Sequence, residues 1–134
     1  MIVVDSSAWV EFLRQTGTPA DLTLTRLVAA QADLVVTEVV VMEVLMGARS
    51  TQHLRGLRRQ LLSFPILPLR GIASYETAAA LYRTCRRAGE TIRKITDCLV
   101  AVPTIEAGAT LIQADRDFEI LARHTPLRLE PLAA

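Results

Sequence analysis

The chain has 134 residues, of which 51% are hydrophobic, 4% aromatic and 22% charged, and its formal net charge is +1. This length predicts one domain, residues 1–134, with a core built from aliphatic side chains. No apolar run reaches the roughly 18 residues of a membrane span, and two cysteines exclude a disulfide scaffold. We therefore expect a cytoplasmic protein with no membrane partner.

Short β-branched runs alternate along the chain with longer segments whose apolar residues recur at helical spacing. The predicted elements, in chain order, are strand 2–4, helix 8–13, helix 22–28, strand 34–36, helix 37–47, helix 54–62, strand 66–67, helix 75–82, helix 97–105, strand 111–112, helix 118–121 and strand 127–129. Pro19 fits the first turn of a helix, and Gly108 fits a helix C-terminus. Strands that alternate with helical crossovers predict an α/β fold whose mainly parallel sheet is covered on both faces.

Carboxylates cluster around the ends of the first and fourth predicted strands. Asp5 follows the first strand, and Asp115 and Asp117 follow strand 111–112. Open α/β sheets bind ligands at this edge, and Asp97 can reach the same edge from the start of its helix. Each acid alone is equally well explained as a helix cap or a first-turn acid.

Glu43 lies inside the apolar run 39–46, where a charge is expensive. It must face solvent, meet a cation such as an arginine, or coordinate a metal. The acids come from four separate elements, and clustered like charges repel one another unless a cation neutralises them. The sequence therefore predicts an acidic metal site. Its oxygen ligands favour Mg²⁺ or Mn²⁺, and the absence of paired His and Cys argues against zinc.

The segments around these acids carry a resemblance to a known family. They are 5–8 (DSSA), 43–47 (EVLMG), 97–101 (DCLVA) and 115–118 (DRDF). In order, spacing and chain length they resemble the acidic motifs of PIN-domain ribonucleases, and a single domain of this size resembles the VapC-type toxins of type II toxin–antitoxin pairs. Pro103 departs from the family pattern, because it removes a backbone donor inside the Asp97 helix and favours a kink.

The resemblance implies a three-layer α/β/α sandwich in which residues 1–134 form a single nuclease domain. It also implies a toxin endoribonuclease that hydrolyses RNA phosphodiester bonds with Mg²⁺ or Mn²⁺, forms a homodimer and is neutralised by a small antitoxin. Whether one ion or two bind stays open. The site residues that it implies are the metal ligands Asp5, Asp97 and Asp115, the further catalytic carboxylates Glu43 and Asp117, and the supporting hydroxyl of Ser7.

Ten of the fifteen Lys and Arg residues fall in two groups that flank the acidic site. The first group is Arg49, Arg55, Arg58, Arg59 and Arg70, and the second is Arg83, Arg86, Arg87, Arg93 and Lys94. A nuclease needs cations beside its metal to hold a phosphate backbone. We predict that the second group binds RNA; the alternative is a solvated helix face.

The antitoxin is expected to lay an amphipathic helix across one of two apolar stripes and to insert an arginine among the carboxylates. The stripes are Trp9, Phe12 and Leu13, and Leu54, Leu57 and Leu61. The alternative for both stripes is ordinary core packing.

Two other functions stay open at this point. The first is a catalytically idle RNA-binding module of the same fold, which would not need its acids intact. The second is a phosphotransfer or receiver-type domain, which also has an Asp after its first strand. Members of that class have a second acid near the first and a lysine after a late strand. The segment Asp5-Ser6-Ser7 lacks the acid, and no lysine follows the strand at Leu127.

Overall fold

A five-stranded sheet forms the centre of the structure, a computed structural model that describes residues 1–133. Ala134, the last residue of the predicted domain, lies outside the described residues. The elements are β1 (Ile2–Val4), α1 (Ser6–Arg14), α2 (Pro19–Ala29), β2 (Leu34–Thr37), α3 (Glu38–Met46), α4 (Thr51–Leu61), β3 (Ile66–Leu67), α5 (Ile72–Arg87), α6 (Thr96–Glu106), β4 (Thr110–Ile112), α7 (Arg116–His124) and β5 (Arg128–Leu129).

The strands lie in the order β3-β2-β1-β4-β5, and all four neighbouring pairs are parallel. At the middle of the sheet Val3 lies between Val35 and Leu111. Right-handed crossovers lead outward from β1 to β3 and then back to β4 and β5, which places α1–α4 on one face and α5–α7 on the other. Accordingly, α1 packs against α2 and α3, and α5 packs against α6 and α7. The predicted three-layer α/β/α sandwich is confirmed.

The central strands are apolar along their whole length because helices cover both faces of the sheet. Val3, Val36 and Leu111 are fully buried. The aliphatic core also encloses Trp9 and Leu61, and Leu57 lies at its margin. Trp9 and Leu61 therefore follow the alternative of core packing, because their burial completes one of the two outer layers. Leu57 also lines a groove between α1, α3 and α4.

Helix α6 continues through Pro103 to Glu106. The proline removes a single backbone donor, and the hydroxyl of Thr104 donates to the carbonyl of Val100 at 2.8 Å in the same turn. Gly108 follows with a φ of +64°, a conformation that glycine adopts without strain. Within residues 1–133, no helix has both the length and the apolar character that a membrane span requires.

Candidate metal and active site

The predicted acids meet at the carboxyl ends of β1 and β4, where the strand order reverses. Such a switch point is where open α/β sheets bind ligands. Asp5 follows β1 and caps α1, Asp97 lies in the first turn of α6, and Asp115 caps α7. We use the term carboxylate pocket for the five side chains Asp5, Glu43, Asp97, Asp115 and Asp117.

Three of these acids form the tightest group. One carboxylate oxygen each from Asp97, Asp115 and Asp117 lies within 4.8 Å of the others. The predicted set of ligands had Asp5 in the place of Asp117. Asp5 is not part of this group, but its charge adds to burial, the largest cause, in raising the pKa of Asp97.

Three buried carboxylate oxygens of Asp5 and Asp97 accept no hydrogen bond within the described residues. Both residues are fully buried, and within the described residues Asp5 Oδ1 and both oxygens of Asp97 have no hydrogen-bond partner. A buried carboxylate without a partner is costly, and a divalent cation would remove that cost. The pocket offers oxygen ligands alone, which fits Mg²⁺ or Mn²⁺.

Burial makes two of these acids, Asp97 and Asp5, harder to ionise when no metal is bound. It raises the pKa of Asp97 to about 8, and the charge of Asp5 adds to this effect while that of Lys94 opposes it. Burial likewise raises the pKa of Asp5, against the hydrogen bonds from Ser7 that lower it. A bound cation would replace the proton that Asp97 otherwise retains near neutral pH.

Glu43 reaches the pocket from α3, and three groups contact its carboxylate. The hydroxyls of Ser6 and Thr96 donate to it at 3.1 Å and 3.4 Å. Lys94 Nζ lies 3.3 Å from Glu43 Oε2 and 3.7 Å from Asp97 Oδ1. Burial alone would lower the pKa of Lys94, but the charges of Asp97, Glu43 and Asp5 outweigh it and raise the pKa. The structure thus brings Glu43 into the site and pairs it with a cation.

Ser7 and Asp117 hold the walls of the pocket together. Ser7 Oγ donates to Asp5 Oδ2 at 2.6 Å and accepts from the backbone N–H of Ala114 at 2.9 Å. Asp117 accepts from the backbone N–H groups of Arg93 and Lys94 at 3.2 Å and 2.8 Å. Asp117 therefore fixes the loop that carries Lys94, in addition to contributing its charge.

The remaining basic residues predicted to bind RNA are exposed. Within the part of the chain that the structure describes, none of the guanidinium groups of Arg83, Arg86, Arg87 and Arg93 forms an ion pair. These four side chains are free to contact an anion, whereas Lys94 already contacts carboxylates.

A groove of about 500 Å³ runs between α1, α3 and α4, and Val10, Leu13 and Val44 belong to its apolar wall. A second depression of about 400 Å³ has Glu43 and Lys94 in its wall. Val10 lines both cavities. The groove, called the apolar groove below although Arg14, Arg49, His53 and Gln60 also line it, therefore lies next to the depression beside Glu43 and Lys94.

Comparison with known proteins gives consistent matches over almost the whole chain. The family described as PIN domain matches residues 2–124. The sequence is 40% identical over 129 residues to a VapC ribonuclease of Mycobacterium bovis and to ribonuclease VapC11 of Mycobacterium tuberculosis, covering 96% of this chain and 96% of each relative.

Solved structures with the same fold are more distant in sequence. VapBC2 from Rickettsia felis, bound to a DNA fragment from its promoter, aligns with a TM-score of 0.75 at 20% identity over 99% of this chain and 100% of that one. FitAcB from Neisseria gonorrhoeae aligns with a TM-score of 0.74 at 18% identity over 98% of this chain and 97% of that one.

Proposed function

Because this chain belongs to the PIN-domain family, we infer that it is an endoribonuclease of the VapC toxin type, like its curated relatives. We propose that it cleaves RNA with Mg²⁺ or Mn²⁺ in the carboxylate pocket. The observation that supports this most strongly is Asp97, which is fully buried beside other acids while both its oxygens lack hydrogen-bond partners. A catalytically idle binding module would not require such a side chain, and the segment Asp5-Ser6-Ser7 lacks the second acid of a phosphotransfer domain.

Each residue of the pocket has a proposed task. Asp5, Asp97 and Asp115 would hold the cation, which when bound polarises a phosphoryl oxygen and lowers the pKa of a water molecule. Glu43, anchored by two hydroxyls, orients that water toward the phosphorus. Asp117 supports the site by holding the loop before α6.

The nuclease proposal is tested by incubating the purified protein with a structured RNA in Mg²⁺, in Mn²⁺ and in EDTA. We expect cleavage with either cation, none in EDTA, and recovery when the cation is restored in excess. Cleavage that persists undiminished in EDTA would refute the metal-dependent reaction, and its absence under every condition would favour an idle binding module.

We propose that the exposed arginines at the end of α5 hold the RNA backbone. Replacing Arg86 and Arg87 together by Glu should weaken RNA binding and make its salt dependence shallower, by about 0.7 in the logarithmic slope for each phosphate that the protein no longer neutralises. Arg26→Glu is the matched control, since Arg26 is exposed on α2 at the opposite face of the sheet. Unchanged binding of the double variant across a salt titration would show that this helix face is merely solvated.

The apolar groove suits the helix of a small antitoxin, and the depression next to it, which Glu43 and Lys94 line, suits an arginine of that helix. A guanidinium can bind carboxylates through two parallel hydrogen bonds. Gly56 lines the groove, and a Cβ added there would meet no atom within 4 Å. Gly56→Gln should therefore leave the free protein stable and active. It should lower antitoxin affinity at least about tenfold, because the bulkier side chain prevents the antitoxin helix from burying its apolar face in the groove.

Isothermal titration calorimetry with the antitoxin encoded beside this protein measures that affinity, and replacing each arginine of the antitoxin by Ala tests the inserted side chain. Unaltered affinity of Gly56→Gln would exclude the groove. If every Arg→Ala variant of the antitoxin still inhibits the nuclease fully, the antitoxin acts by covering the surface that binds RNA.

We also propose a cytoplasmic homodimer. Large apolar side chains are exposed at β3 and at the start of α5, namely Ile66, Ile72 and Tyr75. Neighbouring exposed apolar residues of this size favour an interface. Light scattering of the purified protein measures the mass in solution, and a monomer at all concentrations would exclude the dimer.

A further inference from the structure

Lys94 is the only lysine of the sequence; its side chain is 44% exposed, and its ammonium contacts two acids of the carboxylate pocket. Among the basic side chains of residues 1–133, it alone forms ion pairs with pocket carboxylates. Its Nζ is 3.3 Å from Glu43 and 3.7 Å from Asp97, so it occupies the space between these two acids.

The backbone fixes this position. Asp117 accepts a hydrogen bond from the N–H of Lys94 at 2.8 Å, and the carbonyl of Lys94 accepts one from the N–H of Asp97 at 3.0 Å. Lys94 is therefore held at both its backbone groups by two acids of the pocket. These two hydrogen bonds fix the backbone of Lys94 beside the pocket, so that its side chain starts next to Asp97 and Asp117.

The two carboxylate oxygens of Asp97 differ in their contact with Lys94. Asp97 Oδ1 lies 3.7 Å from the ammonium of Lys94. Neither Asp97 Oδ2 nor Asp5 Oδ1 accepts a hydrogen bond within the described residues. The ammonium of Lys94 thus pairs with Oδ1 of Asp97, while Asp97 Oδ2 and Asp5 Oδ1 stay available to a cation.

In nucleases with two metals, the ions lie about 3.5 to 4 Å apart and share carboxylate ligands. We propose that this pocket binds a single divalent cation, and that the ammonium of Lys94 takes the place of a second one between Glu43 and Asp97. The inference rests on the proposed metal-dependent function and deepens it. In that position Lys94 supplies the second positive charge that a transferring phosphate requires.

The test counts the Mn²⁺ ions bound by the protein without RNA, using isothermal titration calorimetry and the loss of the free Mn²⁺ signal in electron paramagnetic resonance. We expect one ion for the wild type and two for Lys94→Gln, because Glu43 and Asp97 become available as ligands. The double variant Lys94→Gln with Glu43→Gln should return to one ion. Arg93→Gln, an exposed neighbour without an ion pair, should bind one ion like the wild type.

Two ions in the wild type would overturn the inference, and so would a single ion bound with unchanged affinity by Lys94→Gln. The wild-type count tests the proposal even if Lys94→Gln fails to fold, which circular dichroism reports. A wild-type protein that binds no Mn²⁺ would instead refute the proposed metal site. One that binds a single ion without cleaving RNA would refute the proposed reaction and leave this inference standing.

Discussion

Asp97→Asn should reduce Mn²⁺-dependent RNA cleavage by more than about 100-fold, since even the loss of an outer partner of a metal site costs 10- to 100-fold. The substitution preserves the shape of the side chain and removes the charge that would bind the cation. Asp97 is fully buried at the centre of the carboxylate pocket, so no neighbouring acid can take its position. A folded Asp97→Asn protein with full activity would refute the proposed site.

The same variant should be more stable than the wild type in metal-free buffer at pH 8. The pKa of Asp97 rises from 3.8 to about 8 on folding, because burial disfavours the charged form. The proton bound by the folded state stabilises it fully below pH 3.8, and this contribution is lost as the pH rises toward 8. The free energy of unfolding should therefore fall by at most about 1.4 kcal/mol per pH unit because of this group.

Urea unfolding in EDTA between pH 4 and pH 8 measures this dependence. The free energy of unfolding of the wild type should fall with rising pH, and that of Asp97→Asn should fall less. If the two proteins lose stability in parallel, Asp97 does not keep its proton in the metal-free fold.

Asp117→Asn should have the opposite effect on stability, although it removes the same charge from the same pocket. Asp117 accepts backbone hydrogen bonds from both Arg93 and Lys94. An Asn retains one acceptor oxygen and turns an NH₂ group toward the second N–H. We expect a loss of about 2 to 3 kcal/mol, the scale of a charge-assisted hydrogen bond. Cleavage should fall as well, because the loop that carries Lys94 is released.

Asp115→Asn is the matched control for this second prediction. The side chain of Asp115 caps α7 by accepting from the N–H of Asp117 at 2.9 Å, and Asn caps a helix about as well as Asp. This variant should lose activity with a change in stability below about 0.5 kcal/mol. Urea unfolding of both variants at one pH in EDTA makes the comparison, and equal stability of Asp117→Asn and the wild type would show that the loop does not depend on Asp117.

Local signals in the sequence were sufficient for most of the fold. Residues 2–4 were predicted as a strand ended by a capping group, and β1 is Ile2–Val4 with Asp5 as the cap of α1. Thr37 and Pro19 likewise mark the starts of their helices as predicted. A helix cap and a proline in the first turn depend only on residues within one turn of the helix, so they can be recognised without knowing the tertiary contacts.

The partners of the acids could not be predicted, because they depend on contacts between distant segments. The hydroxyls of Ser6 and Thr96 lie 37 and 53 residues from Glu43, and Lys94 was expected to face RNA rather than Glu43. The one available signal is proximity in sequence: Ser6 and Thr96 are direct neighbours of Asp5 and Asp97.

Amphipathic stripes were equally ambiguous, since periodicity shows that a helix face is apolar but not what covers it. On α1 and α4 the core covers much of each stripe, whereas the groove between the helices stays open. Asp115 follows the strand as predicted, since β4 ends at Ile112, and it caps α7. A short loop therefore separates this acid from the sheet.

The central claim is that Asp5, Asp97 and Asp115 together bind one divalent cation. It is tested most directly by anomalous X-ray scattering from crystals of the wild-type protein soaked in Mn²⁺, recorded on both sides of the manganese absorption edge. We expect a single anomalous peak within coordination distance of the Asp5 and Asp97 carboxylates and no peak between Glu43 and Lys94. Absence of a peak at Asp5 and Asp97, at a Mn²⁺ concentration that supports RNA cleavage in solution, would contradict it.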